Sequence, residues 1–272
     1  MNLRQQIIPM ALRAVAPDGD TEPVRALEVG CMFAENEGLS TYHIARCVRQ
    51  RPGSAFISIE YDADHAQSAQ VMLRRMDPGL DHCVDLRVGH SLVELPPALE
   101  TLGQVDFALL DGGAHPEVCL QEFELVLNHL SERGLVLVDD LQALAPSVMY
   151  PAARPFGKGT LILPVLILRD YASTRDQYRS RNLAPGTTDG TPDSTLVNRL
   201  VASGIADRPS GVAYATISMH GHSMLVIGRQ PVVDRLLASL PAGQSVSMVN
   251  RVRSALRVLI RPADPVTVVR SA

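Results

Sequence analysis

Carboxylates recur at the ends of short apolar runs in the first 140 residues: Glu28 in "LEVG", Glu60 at the end of "AFISIEY" with Asp62 behind it, Asp111 in "VDFALLDG", and Asp139 with Asp140 in "GLVLVDD". One acid after such a run is ordinarily a helix cap or a turn residue. Four runs ending this way would crowd negative charge at one rim, which is costly unless cations or ligand hydroxyls offset it. Glu28 and Glu60 fall in the first two runs, and a carboxylate there offers two acceptors to the two hydroxyls of a ribose. Asp111, Asp139 and Asp140 are hard oxygen ligands suited to Mg²⁺ or another divalent cation. A further titratable candidate is Lys158 in "FGKGT", the only lysine among 25 basic residues. Arginine stays protonated, whereas a lysine can give up its proton and act as a base; chance in an arginine-rich sequence is the plainer explanation.

The elements that must position these groups follow from the pattern. Runs at 24–30, 55–61, 84–89, 105–112 and 134–140 are four to eight residues long and mostly aliphatic, as strands covered on both faces are. The stretches between them suit helices, the one at 91–102 weakened by Pro96-Pro97. Alternation of this kind predicts a parallel sheet with right-handed crossovers, whose ligands bind at the carboxyl ends of the strands. Residues 141–210 are rich in Pro, Gly, Ser and Thr and are expected to form an insertion over that rim, with Tyr150, Phe156, Tyr171 and Tyr178 either lining an acceptor pocket or packing in a core. "GVAYATISMH" and "HSMLVIGR" read as an antiparallel hairpin turning near Gly221 and closing the sheet, and residues 231–261 read as two further helices. The fold expected is α/β, a doubly wound Rossmann-like sheet of about seven strands. Residues 1–23 form a short amphipathic helical lead-in, 24–230 the main domain, and 231–272 a basic helical extension.

Composition narrows the function. The chain has 272 residues, 46% apolar and 20% charged, with net charge −4, so no basic field points to nucleic acid. Five arginines after Val246 against Asp264 make that end +4 and the remainder −8. The four cysteines form no C-x-x-C pair, which fits a reducing cytoplasm. Pro9 and Arg13 interrupt the first apolar stretch, a poor signal peptide, and the longest apolar run, 161–168, is far below the ~20 residues of a membrane span. Gly30 and Gly38 would let backbone approach a ligand, but G-x-G-x-x-G is absent, since Cys31, Met32 and Phe33 follow Gly30; a Walker loop is absent as well.

Together these segments resemble class I S-adenosylmethionine-dependent methyltransferases, specifically the metal-dependent O-methyltransferases of the catechol type, over residues 24–142. "LEVG" is similar to the family's first glycine motif and "FISIEYDADHAQSA" to its ribose-binding segment. "RVGHS" resembles the segment beside the adenine, and "FALLDGGAH" and "LVLVDD" the two metal segments. The resemblance implies S-adenosylmethionine as cofactor, contacted by Glu28, Gly30, Gly38, Ser40, Glu60, Tyr61, Gly89, His90, Ser91 and Asp111, and a divalent metal on Asp111, Asp139 and Asp140. The first motif is about three residues longer than usual, with Ala34 where glycine is common, and Ala114 stands where the family carries its catalytic lysine. Lys158 is therefore expected as general base, with His115, whose ordinary pKa lies near neutrality, as competitor. The activity implied is methylation of a hydroxyl on a small phenolic or sugar-like acceptor, without nucleic acid or a membrane span; a homo-oligomer is left open. A metal-independent methyltransferase, an NAD-linked oxidoreductase and a non-catalytic binding protein are the alternatives on the same fold.

Overall fold

The computed structural model describes residues 3–32, 34, 39–112, 116–140, 212–219, 222–240 and 245–248. All of these fall in one compact unit, Met1–Ile162 with Gly211–Met248. The expected insertion at 141–210 and the chain beyond 248 lie outside the described residues.

Five parallel strands form in the expected places: β1 (Arg25–Val29), β2 (Ala55–Glu60), β3 (Asp85–Val88), β4 (Val105–Leu110) and β5 (Leu130–Val138). The hairpin follows as β6 (Val212–Met219) and β7 (His222–Arg229), and β8 (Ser245–Met248) adds an eighth strand to the seven expected. The order is β3-β2-β1-β4-β5-β7-β6-β8, with β7 antiparallel to β5, β6 antiparallel to β7, and β8 antiparallel to β6. Helix is the sequence expectation at 245–248, but "SVSM" alternates polar and apolar residues with the period of a strand and pairs with Ala215–Ser218.

Strand β5 also begins four residues earlier than its apolar run. Leu130–Arg133 join it because Asp106, fully buried, accepts hydrogen bonds from the Ser131 hydroxyl (2.6 Å), the Arg25 amide (2.9 Å) and the Arg133 side chain (3.3 Å). This polar knot sits beside the register shift between Val105 and Phe107, at the end of the sheet opposite the acidic rim.

Helices cover both faces. On one side lie α1 (Leu3–Val15), α2 (Ser40–Arg49), α3 (Ala63–Met76) and α6 (Gln230–Ala238). Ile7, Ile8, Leu12, Ile44, Leu73, Val232 and Leu236 pack there against Ala26, Phe56, Phe107, Leu109 and Leu137. On the other side α4 (Ser91–Leu102) and α5 (Pro116–Asn128) touch each other and the central strands. The Pro96-Pro97 pair does not end α4, since Leu95, Ala98, Leu99 and Leu102 are buried on its inner stripe. No helix among the described residues is long and apolar enough to cross a membrane.

Candidate active site at the carboxyl rim

Strand order reverses between β1 and β4, because the chain leaves β1 toward β2 on one side and returns to β4 on the other. In open α/β sheets a crevice opens at this point. Two glycines line it. Gly30 has φ +84°, and a Cβ there would meet the Gly112 nitrogen at 2.9 Å and the Asp111 carbonyl carbon at 3.0 Å. A Cβ on Gly112 would in turn meet a Val29 methyl at 2.5 Å. Neither position has room for a side chain, so the ends of β1 and β4 pack directly on one another at the switch point. The Gly30 amide donates to Ile59 and the Asp111 amide to Val29, both at 2.8 Å, which ties the ends of β1, β2 and β4 together.

On the β1–β2 side the acids are organised by hydrogen bonds. Glu60, 8% exposed, accepts from the Cys31 amide on one carboxylate oxygen and from the Asp62 amide on the other, both at 3.0 Å. Asp62 itself caps α3, accepting from the Asp64 and His65 amides. Glu60 is thus held at the mouth by two backbone donors, and each oxygen retains a lone pair for a ligand hydroxyl. Glu28 is fully buried beneath it. Its Oε2 accepts from the hydroxyls of Ser58 (2.7 Å) and Thr41 (2.8 Å), while Oε1 has no hydrogen-bond partner. Burial pushes the Glu28 carboxyl up to about 7, against the hydroxyls of Ser40, Ser58 and Thr41, which favour the charged form, and with help from the nearby Glu60 charge. Ser40 is buried at the start of α2, where Leu39 takes a left-handed backbone at φ 58°. Burial, followed by the Glu28 and Glu60 charges, raises the Cys31 thiol, so it is no nucleophile.

The segment expected to flank a base lies at the end of β3. The Gly89 amide donates to the Glu60 carbonyl at 2.9 Å, so the β2 and β3 ends are joined. His90 caps α4, its Nδ1 accepting from the Leu92 amide at 3.2 Å. The exposed Tyr61 ring stands edge-on to His90, with centroids 6.2 Å apart. Ser91 donates its hydroxyl to Glu122 on α5 at 2.5 Å, a contact that joins the two helices. Gly38 lies outside the described residues.

On the β4–β5 side the structure brings Asp111, Asp139 and Asp140 together, and a residue that sequence reading does not single out stands among them. Arg4 of α1 reaches Asp111 through Nη1 (2.9 Å) and Nη2 (3.1 Å), pairs with Asp139 through Nε, and lies 3.8 Å from Asp140. Asp140 takes a left-handed backbone, φ 52°, which breaks the alternation of an extended strand and lets consecutive side chains face one guanidinium. The Asp140 amide donates to the other Asp139 oxygen at 2.9 Å. Burial opposes the charge on Arg4, but Asp111, then Asp139 and Asp140, outweigh it and hold the guanidinium protonated.

The resemblance implies a divalent metal on these carboxylates. As arranged they do not fit one: both Asp111 oxygens and one Asp139 oxygen face Arg4, and the second Asp139 oxygen faces a backbone amide. Among the described residues no group of three or more His, Cys, Asp or Glu side chains is arranged to hold a metal ion. A signal for Arg4 does exist in the sequence. Arg4 shares a helical stripe with Ile7, Ile8, Ala11, Leu12 and Val15, all buried, and an arginine on a buried stripe must find an acid. The two expected bases, Lys158 and His115, lie outside the described residues.

Comparison with known proteins adds one firm match: residues 27–141 fit the family model described as a methyltransferase domain. No curated protein matches. Among solved structures, the O-methyltransferase from Bacillus cereus in complex with SAH is similar at 15% identity and TM-score 0.46, over 83% of this chain and 80% of its own. The MycE methyltransferase of the mycinamycin biosynthetic pathway, in complex with Mg and SAH, is similar at 13% identity and TM-score 0.44, over 81% and 48%. An O-methyltransferase family protein from Burkholderia thailandensis is similar at 12% identity and TM-score 0.41, over 83% and 58%. Likenesses this distant carry neither activity nor ligand to this chain. From β1 to just past the end of β5, residues 27–141 therefore match a methyltransferase domain, and the matched segment holds all the acids of the rim, in a sheet of order β3-β2-β1-β4-β5-β7-β6-β8.

Proposed function

We propose that this chain transfers a methyl group from S-adenosylmethionine to a hydroxyl oxygen of a small-molecule acceptor. The observation that carries this reading is the arrangement at the switch point: the β1 and β4 ends meet at Gly30 and Gly112, and Glu60 at the end of β2 is held by two backbone amides. A dinucleotide would bring a pyrophosphate toward the Glu60 carboxylate, whereas S-adenosylmethionine brings two cationic groups and one carboxylate, which suits an acid at that place. Its ribose offers two hydroxyls to the two oxygens of Glu60. When bound, the cofactor supplies a sulfonium methyl that an acceptor oxygen takes, leaving a thioether and passing the hydroxyl proton to a base.

The residues of this chain then do three things. Glu60 fixes the ribose, and the Tyr61 and His90 rings, already in contact, border the place of the base. The Gly30–Gly112 approach sets the backbone against which the reacting end lies, and positioning of this kind is worth up to ~7–11 kcal/mol of barrier in well-oriented reactions. Lys158 is assigned the acceptor's proton, with His115 as the alternative. Parallel calorimetric titrations with S-adenosylhomocysteine and NAD⁺ test the reading. S-adenosylhomocysteine is expected to bind and NAD⁺ not to. Glu60→Gln should weaken the first by ~10–100-fold, the loss of one charge-assisted hydrogen bond. Binding of NAD⁺, or unchanged affinity in Glu60→Gln, refutes it.

A further inference from the structure

We propose that Arg4 is the resident cation of this rim: its guanidinium neutralises and spaces Asp111, Asp139 and Asp140 where a divalent ion would otherwise be required, so that methyl transfer by this chain is independent of metal. From the proposed function the inference takes the identity of the rim as the acceptor end.

Three observations carry it. The guanidinium uses separate nitrogens on separate oxygens, with Nη1 and Nη2 forked on Asp111 and Nε on Asp139. A planar fork of five donors fits this set, and an ammonium does not. The arrangement is anchored rather than dangling, because Ile7, Ile8 and Ala11, one to two turns along α1, are fully buried under the sheet. An ion such as Mg²⁺ needs oxygens at ~2.0–2.1 Å in octahedral array, so its entry would displace Arg4 from three acids at once. Finally, Asp140 holds a left-handed backbone that a non-glycine residue rarely adopts, and the result is to bring its carboxylate to the same guanidinium.

A chemical consequence follows for the acceptor. A guanidinium is no Lewis acid and cannot lower a hydroxyl's pKa as a bound metal does. The acceptor class that fits is therefore a phenol, which ionises near pH ~10, rather than an unactivated sugar alcohol, which is nearer to water at ~15.7.

Mn²⁺ titration followed by electron paramagnetic resonance decides the central claim without cofactor or turnover. The wild type should show only weak, scattered binding that Asp111→Asn leaves unchanged. Arg4→Met keeps an apolar stem on the stripe but takes the guanidinium away from Asp111, Asp139 and Asp140; it should bind Mn²⁺ at least ~10-fold more tightly, and a second change, Asp139→Asn, should remove the gain. A wild-type site of comparable strength that is lost in Asp111→Asn overturns the proposal, as does an Arg4→Met protein with a native circular dichroism spectrum and no gain. Should Arg4→Met fail to fold, the wild-type and Asp111→Asn titrations decide alone. With chelator present, phenols should be methylated faster than sugar alcohols, and equal rates overturn the acceptor assignment. Failure of S-adenosylhomocysteine to bind would count against the proposed function and leave the Mn²⁺ result standing.

Discussion

Replacing Glu28 by Gln should change how stability depends on pH, and the size of the change can be worked from the site. The carboxyl is fully buried, one oxygen accepts two hydroxyl hydrogen bonds and the other accepts none. Burial pushes its pKa up to about 7, from 4.5 in the open chain. Between those values the native protein keeps the proton that the unfolded chain has released, so stability falls as pH rises through the window and levels off above it. A difference of this size corresponds to about 3 kcal/mol, undiminished by solvent because the side chain is wholly enclosed. The amide of the variant cannot titrate. Urea unfolding of both proteins at about pH 5 and about pH 8, without cofactor, should therefore show the stability difference moving by ~2–3 kcal/mol in favour of Glu28→Gln. Other groups cancel in that difference, and any fixed cost of the amide shifts both values equally. Profiles that stay parallel within ~0.5 kcal/mol would refute the claim that a buried, half-satisfied carboxyl lies under the crevice.

Gly30→Ala places a methyl within 3.0 Å of the Asp111 and Gly112 backbone at positive φ; it should cost at least ~1–2 kcal/mol in urea unfolding and also weaken S-adenosylhomocysteine binding. Asp106 is held below its ordinary value, because its hydrogen bonds from Ser131, Arg25 and Arg133 outweigh the burial that would raise it. Its contribution is present above the ordinary aspartate value of 3.8 and is lost as pH falls through the lower native one, so Asp106→Asn should flatten the acid end of a circular dichroism unfolding curve. At neutral pH the same substitution takes the carboxylate from Arg25 and one of three from Arg133, which keeps Asp20 and Glu22, and a loss of ~1–3 kcal/mol is expected.

Much of this architecture is legible without coordinates. Strands buried on both faces read as apolar runs, and three of the five parallel ones, β2, β4 and β5, end at or just before acids as expected; Glu28 instead lies inside β1, fully buried. The sequence sets Glu60 apart from Asp62 by its place at the strand end, but that Asp62 caps α3 and that its amide in turn holds Glu60 appear only in the structure. Asp106 sits inside an apolar run and looks like any strand residue; its value lies in partners from β1 and β5. Arg4 escapes notice for the same reason. A pattern within one helix shows that an arginine shares a buried stripe, but only the packing of α1 against the sheet shows which acids it meets. Strand β8 is hidden because four residues carry too short an alternation to outweigh the arginine-rich stretch that follows.

The partners of Arg4 lie 107 and 135 residues further along the chain. At a synthesis rate of ~5–20 residues per second, roughly 5–30 s separate the emergence of this arginine from that of the last carboxylate it must meet. Until then α1 has no sheet to dock on, and its apolar stripe is a liability for the nascent polypeptide. The acids of the rim thus wait on a helix made well before them, and anything that holds that helix aside, a bulky fusion or a chaperone, would leave the sheet with an unneutralised rim.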